Sequence, residues 1–138
     1  MRWNVERARE AFAASRAARL ATVDAVGRPH LVPVTFAAHA DTVAIAVDDK
    51  PKRSRALRRL RNIAENPRVS LLTDEYSDDW ERLWWARADG FARVEHEGPA
   101  WSDARARLIA RYVQYVEAPP DGAIILVTVV HWSGWSFR

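Results

Sequence analysis

The chain contains no cysteine, so disulfide frameworks, thiolate metal sites, iron–sulfur clusters and cysteine nucleophiles are excluded, and the composition fits a reducing compartment. Long apolar runs are missing too. None approaches the roughly 20 residues that a membrane-spanning helix needs, and no secretory apolar segment follows the first residues. The expectation is a cytoplasmic protein with no membrane partner. Nor is there a large excess of one charge: Lys plus Arg number 21 and Asp plus Glu 18, a formal +3, too little to mark a dedicated nucleic-acid binder.

What is present suits a globular fold. With 138 residues, 49% hydrophobic and 28% charged, the chain falls near the averages for one domain of common size. A chain of this length buries roughly 68–70% of the surface its unfolded form exposes, so it holds a core without disulfides or a structural metal. No repeat, linker or low-complexity stretch divides it, and a single domain over residues 1–138 is expected.

The pattern of apolar residues predicts helices over residues 4–16, 54–65 and 101–115 and strands over residues 19–23, 30–36, 42–47, 69–73, 84–95 and 123–132. Asn4 is a good N-cap for the first helix and Ser54 for the second, which Asn66-Pro67 ends. Asp24 and Gly27 supply the turn between the first two strands. Pro33 cannot donate to a neighbouring strand and implies an edge position, a bulge or a gap in the ladder. Short turns join the first three strands. The architecture expected is therefore α+β, a six-stranded, mainly antiparallel β-barrel with flanking helices. Seven tryptophans exceed what so small a barrel buries, which points to an interface.

Most constellations that carry chemistry are absent. His30, His39, His96 and His131 have no metal-ligand spacing, and no H-E-x-x-H, G-x-S-x-G or phosphate-loop pattern occurs. The acidic stretch 74–79 lacks the alternation of a calcium loop and reads as a solvated turn. One segment stands out. Residues 48–68 hold eight basic side chains against three acidic ones, a local +5, while the remainder carries about −2. Lys50, Lys52, Arg53 and Arg55 crowd the start of a helix, where the macrodipole disfavours cations unless an anion is bound, and the free N–H groups of that helix add donors. Arg58 and Arg61 fit a solvated helix face equally well.

The stretch Arg19-Leu-Ala-Thr-Val-Asp24-x-x-Gly27-Arg-Pro-His30-Leu-Val-Pro33-Val, paired with Lys52 and the later Leu60-Arg-Asn62-Ile-x-x-Asn66-Pro67-Arg-Val-Ser70, resembles the pyridoxamine-phosphate-oxidase-like split β-barrel family. Within it the likeness is greatest to the actinobacterial branch that uses the deazaflavin coenzyme F420 instead of FMN. It extends over Trp84-Trp85-x-Arg87-Ala-x-Gly90 and Trp132-x-Gly134-Trp135. The resemblance implies a homodimer with two cofactor sites at the subunit interface. His30, Pro33, Val34 and Thr35 would face the ring. Lys50, Lys52, Arg53, Arg55, Arg58 and Arg59 would hold the anionic tail, and Trp84 and Trp85 would come from the other subunit.

FMN ends in one phosphate, whereas the deazaflavin carries a phosphodiester followed by glutamates, and six cations over residues 50–59 suit the longer anion better. The implied reaction is hydride transfer between the reduced ring and a small unsaturated or quinone-like substrate, with the protein supplying orientation and exclusion of water. No catalytic acid or base stands out. The alternatives are an FMN-binding oxidoreductase of the same fold, or a non-catalytic module that holds a cofactor or nucleic acid on the basic segment.

Overall fold

The structure, a computed structural model, describes residues 1–47 and 53–138, without the side chains of residues 53–57. In chain order its elements are α1 (Val5–Ala14), β1 (Ala18–Val23), β2 (Pro29–Val34), β3 (Ala37–His39), β4 (Thr42–Ala46), α2 (Arg53–Glu65), β5 (Arg68–Glu75), a turn of 3-10 helix (Trp80–Arg82), β6 (Trp84–Glu95), α3 (Pro99–Arg111), α4 (Val113–Glu117) and β7 (Ile124–Ser136). Asn4 caps α1 as its residue type predicts, its side chain accepting from the Arg7 N–H at 2.8 Å. Asp24 closes the first hairpin by accepting from the Val26 and Arg28 N–H groups, and Gly27 sits at φ +90°, where a side chain would strain the turn. Ser54 lies inside α2 instead of capping it.

All strand pairs are antiparallel, in the order β2-β1-β5-β6-β7-β4-β3. The sheet has seven strands, not the six expected, and its edge strands β2 and β3 do not pair, so the barrel is not closed. The strand expected over 30–36 is β2 and stops at Val34; the extra strand is β3, Ala37–His39, in the stretch between the expected second and third strands where a turn was expected. β2 pairs with β1 at one end of the sheet and β3 with β4 at the other. Composition could not show this, since Ala37-Ala38-His39 holds no β-branched side chain. Pro33 falls in the edge strand β2, where its missing N–H disturbs no second ladder.

Leu20 and Leu71 share one core cluster with Val43, Ile45 and Val127, although β1 and β4 lie far apart in strand order. The sheet therefore wraps around its own inner side chains. α1 plugs that core with Phe12, fully buried at ring-centroid distances of 4.8 Å from Phe36 and 5.4 Å from Trp132. Truncating such a side chain to alanine costs on the order of 3–5 kcal/mol. At Gly90 a Cβ would lie 2.1 Å from the Thr128 carbonyl oxygen, and beside it Val130 is the extra residue of a β-bulge, between the pairs Gly90↔Val129 and Asp89↔His131.

The third helix, expected to run unbroken over 101–115, divides at Tyr112, which is extended at φ −122° and ψ 123°. Its hydroxyl is tied to main-chain groups of Phe36 and Arg16, an anchor that a continuous helix does not provide. The tryptophans are mostly absorbed by the fold itself. Trp132 is buried, Trp84 stacks on Trp3 at 5.6 Å, and Trp101 donates to the Gly122 carbonyl at 2.8 Å, which leaves Trp80 as the large exposed indole among the described residues. An excess of tryptophan over core volume therefore does not argue for an interface.

Candidate functional site

The corner between α2 and the β1–β2 hairpin is set by two contacts. Ile63 packs into the main core, and buried Asn62 donates its side-chain N–H to the Thr22 hydroxyl at 3.1 Å. Thr22 is opposite His30 in the ladder. Arg58 and Arg59 lie one turn before Asn62 and so reach the neighbourhood of His30. Their charges and, above all, burial hold the His30 imidazole below its ordinary pKa of 6.5. Burial also lowers Arg59 from the usual guanidinium value, which still leaves it a cation.

Two polar atoms in this corner are buried without any hydrogen-bond partner, Nδ1 of His30 and Nε of Arg59. Among the described residues no carboxylate pairs with Arg58 or Arg59. A buried donor left unmade costs about 1–3 kcal/mol, more for a charged group. The oxygen of an anion would satisfy the guanidinium, so the corner fits the phosphate-bearing end of a cofactor in kind and in charge.

Adjoining the corner at Thr22 and Pro29, a shallow trough of about 370 Å³ runs across the same strands, lined also by Ala21, Ser70, Phe91 and Val130. Phe91 and Val130 are exposed there, and Leu31 is exposed in the hollow beside it, an apolar surface with a polar line through it. Ser70 donates to Asp89 at 2.5 Å, Arg87 donates to the other carboxylate oxygen at 3.0 Å, and Arg19 pairs with Asp74 at 3.2 Å. These residues had not been singled out from the sequence. The signal was available: Arg87 and Asp89 are two apart on β6, and Ser70 and Asp74 share the same parity on β5, so all point to one face.

The structure brings together His30, Arg58 and Arg59. It places Pro33 on the edge strand opposite Arg19, buries Val34 in the core, and sets the Thr35 hydroxyl 3.0 Å from that of Tyr115. Lys50 and Lys52 lie outside the described residues, and Arg53 and Arg55 are described only as backbone in the first turn of α2. Trp84 and Trp85 are elsewhere. Trp85 is opposite Asp74, five residues along β5 from Val69, which shares the Thr22 and His30 level, a separation of about 17 Å at strand rise. Among the described residues no three His, Asp or Glu side chains gather as a metal site, and no helix is long and apolar enough to cross a membrane.

An antiparallel sheet wrapped on itself and flanked by helices, with a cationic corner beside an edge strand, defines an α+β protein of the split-barrel type. The chain belongs to the pyridoxamine 5'-phosphate oxidase family, whose model matches residues 5–136. No curated protein sequence matches it. Its fold is similar to that of the conserved hypothetical protein Rv2991 from Mycobacterium tuberculosis, with a TM-score of 0.73 at 20% identity over 99% of this chain and 86% of that one. It is similar as well to an FAD binding protein from Mycobacterium smegmatis (TM-score 0.68, 19% identity, 100% and 98% covered). The heme storage protein HutZ from Vibrio cholerae shares it too (0.71, 19%, 96% and 91%).

Proposed function

We propose that this chain is a cytoplasmic oxidoreductase that binds a flavin-type cofactor with an anionic tail, coenzyme F420 before FMN, and serves hydride transfer to or from a small unsaturated or quinone-like substrate. The observation that carries the reading is the pair of partnerless buried atoms, Nε of Arg59 and Nδ1 of His30, in a corner with two guanidiniums and no described counter-charge. The six basic residues Lys50, Lys52, Arg53, Arg55, Arg58 and Arg59 exceed the needs of one phosphate, which favours the longer polyanion. When bound, the ring supplies the hydride chemistry. The residues of this chain hold and orient: Arg58 and Arg59 take the tail, Pro33 offers the edge of β2 to the ring, and the half-buried imidazole of His30 limits the approach of water.

The reading includes a homodimer in which the trough faces a second copy, with Trp84 and Trp85 of that copy closing the cofactor site. Exposed Leu31, Phe91 and Val130 on one sheet face support it, because burying such a patch is what drives stable self-association. The test is a binding titration of the purified protein with F420 of differing tail length, FMN, FAD and heme, alongside sedimentation. F420 is expected to bind about tenfold or more tighter than FMN, to gain affinity with tail length, and to meet a dimer. Tighter binding of FMN or FAD would move the assignment to a flavin enzyme. Binding of heme alone would overturn it.

A further inference from the structure

At the far end of the strand order from His30, the outward sides of four strands meet in one transverse row. Ala37 of β3 is opposite Ala44 of β4, Ala44 opposite Leu126 of β7, and Leu126 opposite Arg93 of β6. α3 lies over this row and turns Ala100 and Ala104 toward it. Small side chains thus face each other from both sides. Larger ones hold the helix away from the sheet at each end: buried Leu108 and Tyr112 toward its C-terminus, and Trp101, tied to the Gly122 carbonyl, toward its start. Close packing is the rule in protein interiors, yet here a cavity of about 210 Å³ stays open between helix and sheet.

Its rim carries two guanidiniums, Arg93 and Arg107, on different elements, with the His39 ring of a third beside them, against the single carboxylate of Asp103. Arg93 engages Glu95 through Nε at 3.0 Å, and its terminal nitrogens donate to no described group. Arg107 forms no ion pair among the described residues, even with Asp103 one helical turn before it.

We propose that this cavity is a second ligand site, separate from the cofactor corner, that takes a small aryl carboxylate. The alanine walls and Leu126 accept the flat apolar ring, and Arg93 and Arg107 receive the carboxylate, whose planar geometry matches a guanidinium fork. The volume lies below the roughly 300–1,000 Å³ of sites for drug-sized ligands, which excludes a flavin and admits one six-membered ring. Inorganic phosphate would meet the cations but leave the apolar floor uncovered.

The experiment is a titration of the full chain, with and without F420, by benzoate, benzamide and inorganic phosphate, read from the methyl resonances of Ala44, Ala104 and Leu126. Benzoate is expected to shift these methyls saturably whether or not F420 is present, with benzamide and phosphate about tenfold weaker or more. Arg93→Gln with Arg107→Gln is expected to weaken benzoate by about tenfold or more at an unchanged melting temperature. Ala100→Leu, at a half-buried wall position, keeps both arginines and fills the space, and is expected to abolish the saturable shifts. Equal binding of benzoate and benzamide, no saturation at millimolar benzoate, or an unchanged affinity in the double variant would each overturn the site. Failure here leaves the F420 titration untouched, so the two readings fall separately.

Discussion

Two polar clusters pin helices to the sheet, and they are finished in opposite ways. Where α1 meets the β3–β4 turn, the Asp41 carboxylate accepts from the Trp132 indole at 2.8 Å and from Arg9 at 3.0 Å, while its main-chain oxygen accepts from the Val129 N–H at 2.8 Å. In the α2 corner, Asn62 and Thr22 satisfy each other but Arg59 and His30 are left with buried nitrogens that nothing meets. The first lies at the surface, with Asp41 exposed, and the second is deeper, with Asn62 and Thr22 buried. Native proteins satisfy nearly all buried polar groups; the first cluster is complete as structure, and the second leaves two buried nitrogens for the proposed anionic ligand to meet.

The sharpest way to break this comparison is Arg59→Met. It keeps the stem of the side chain and removes the guanidinium, and is expected to cost about a hundredfold in F420 affinity while the apo melting temperature holds or rises, because an unpaired half-buried cation is relieved. A fall in stability at constant affinity would make the α2 corner structural like its counterpart. Trp132→Phe runs the converse test. Losing the indole donor and part of the contact with Phe12 is expected to destabilise the fold by about 2 kcal/mol, read by denaturant unfolding, with cofactor affinity unchanged.

A smaller effect separates the clusters by pH. His30 is held below its ordinary 6.5 by burial and by Arg58 and Arg59, so the folded apo protein binds fewer protons there than the unfolded chain. Stability from that site is full above pH 6.5 and is lost as pH falls toward the lowered folded value. Asp41 is likewise lowered, by the Trp132 hydrogen bond first and then by Arg9, but from 3.8, and its contribution is lost only in acid, as pH falls through its folded value. His30→Gln is expected to remove the slope below pH 6.5 and leave the acid limb in place, as measured by melting temperature across pH. An anion bound beside His30 favours the imidazolium, so F420 affinity is expected to rise as pH falls through the same window and to flatten in the variant.

Much of this architecture could be read from local pattern. The strand expected over 84–95 is β6 to the residue, and Asn4 and Asn66-Pro67 bound their helices where cap and breaker chemistry put them. Of the candidate site, the basic run before and within α2 was visible because six cations in ten residues oppose the dipole of the helix they begin. The grouping of His30 with Arg59 came only through the family resemblance, since nothing local in the residues between them says that Asn62 will lock onto Thr22. The cavity under α3 gave no sign at all. Its four alanines are the commonest of residues, scattered over three elements from Ala37 to Ala104.

By itself, then, the sequence determined the alternation of helix and strand, the hairpin at Asp24 and Gly27, and where positive charge concentrates, because each depends on neighbours within a few positions: the period of apolar residues, a side chain that caps, a φ that only glycine adopts freely. Tertiary structure alone decided that Ala37–His39 becomes a seventh strand at the edge of the sheet away from β2, that Tyr112 divides a helix, and that Trp132 is a core residue. The last two outcomes turn on contacts between positions 76 and 120 residues apart, the hydroxyl of Tyr112 against Phe36 and the ring of Trp132 against Phe12, and the energy of such a contact exists only after the chain has brought the two together.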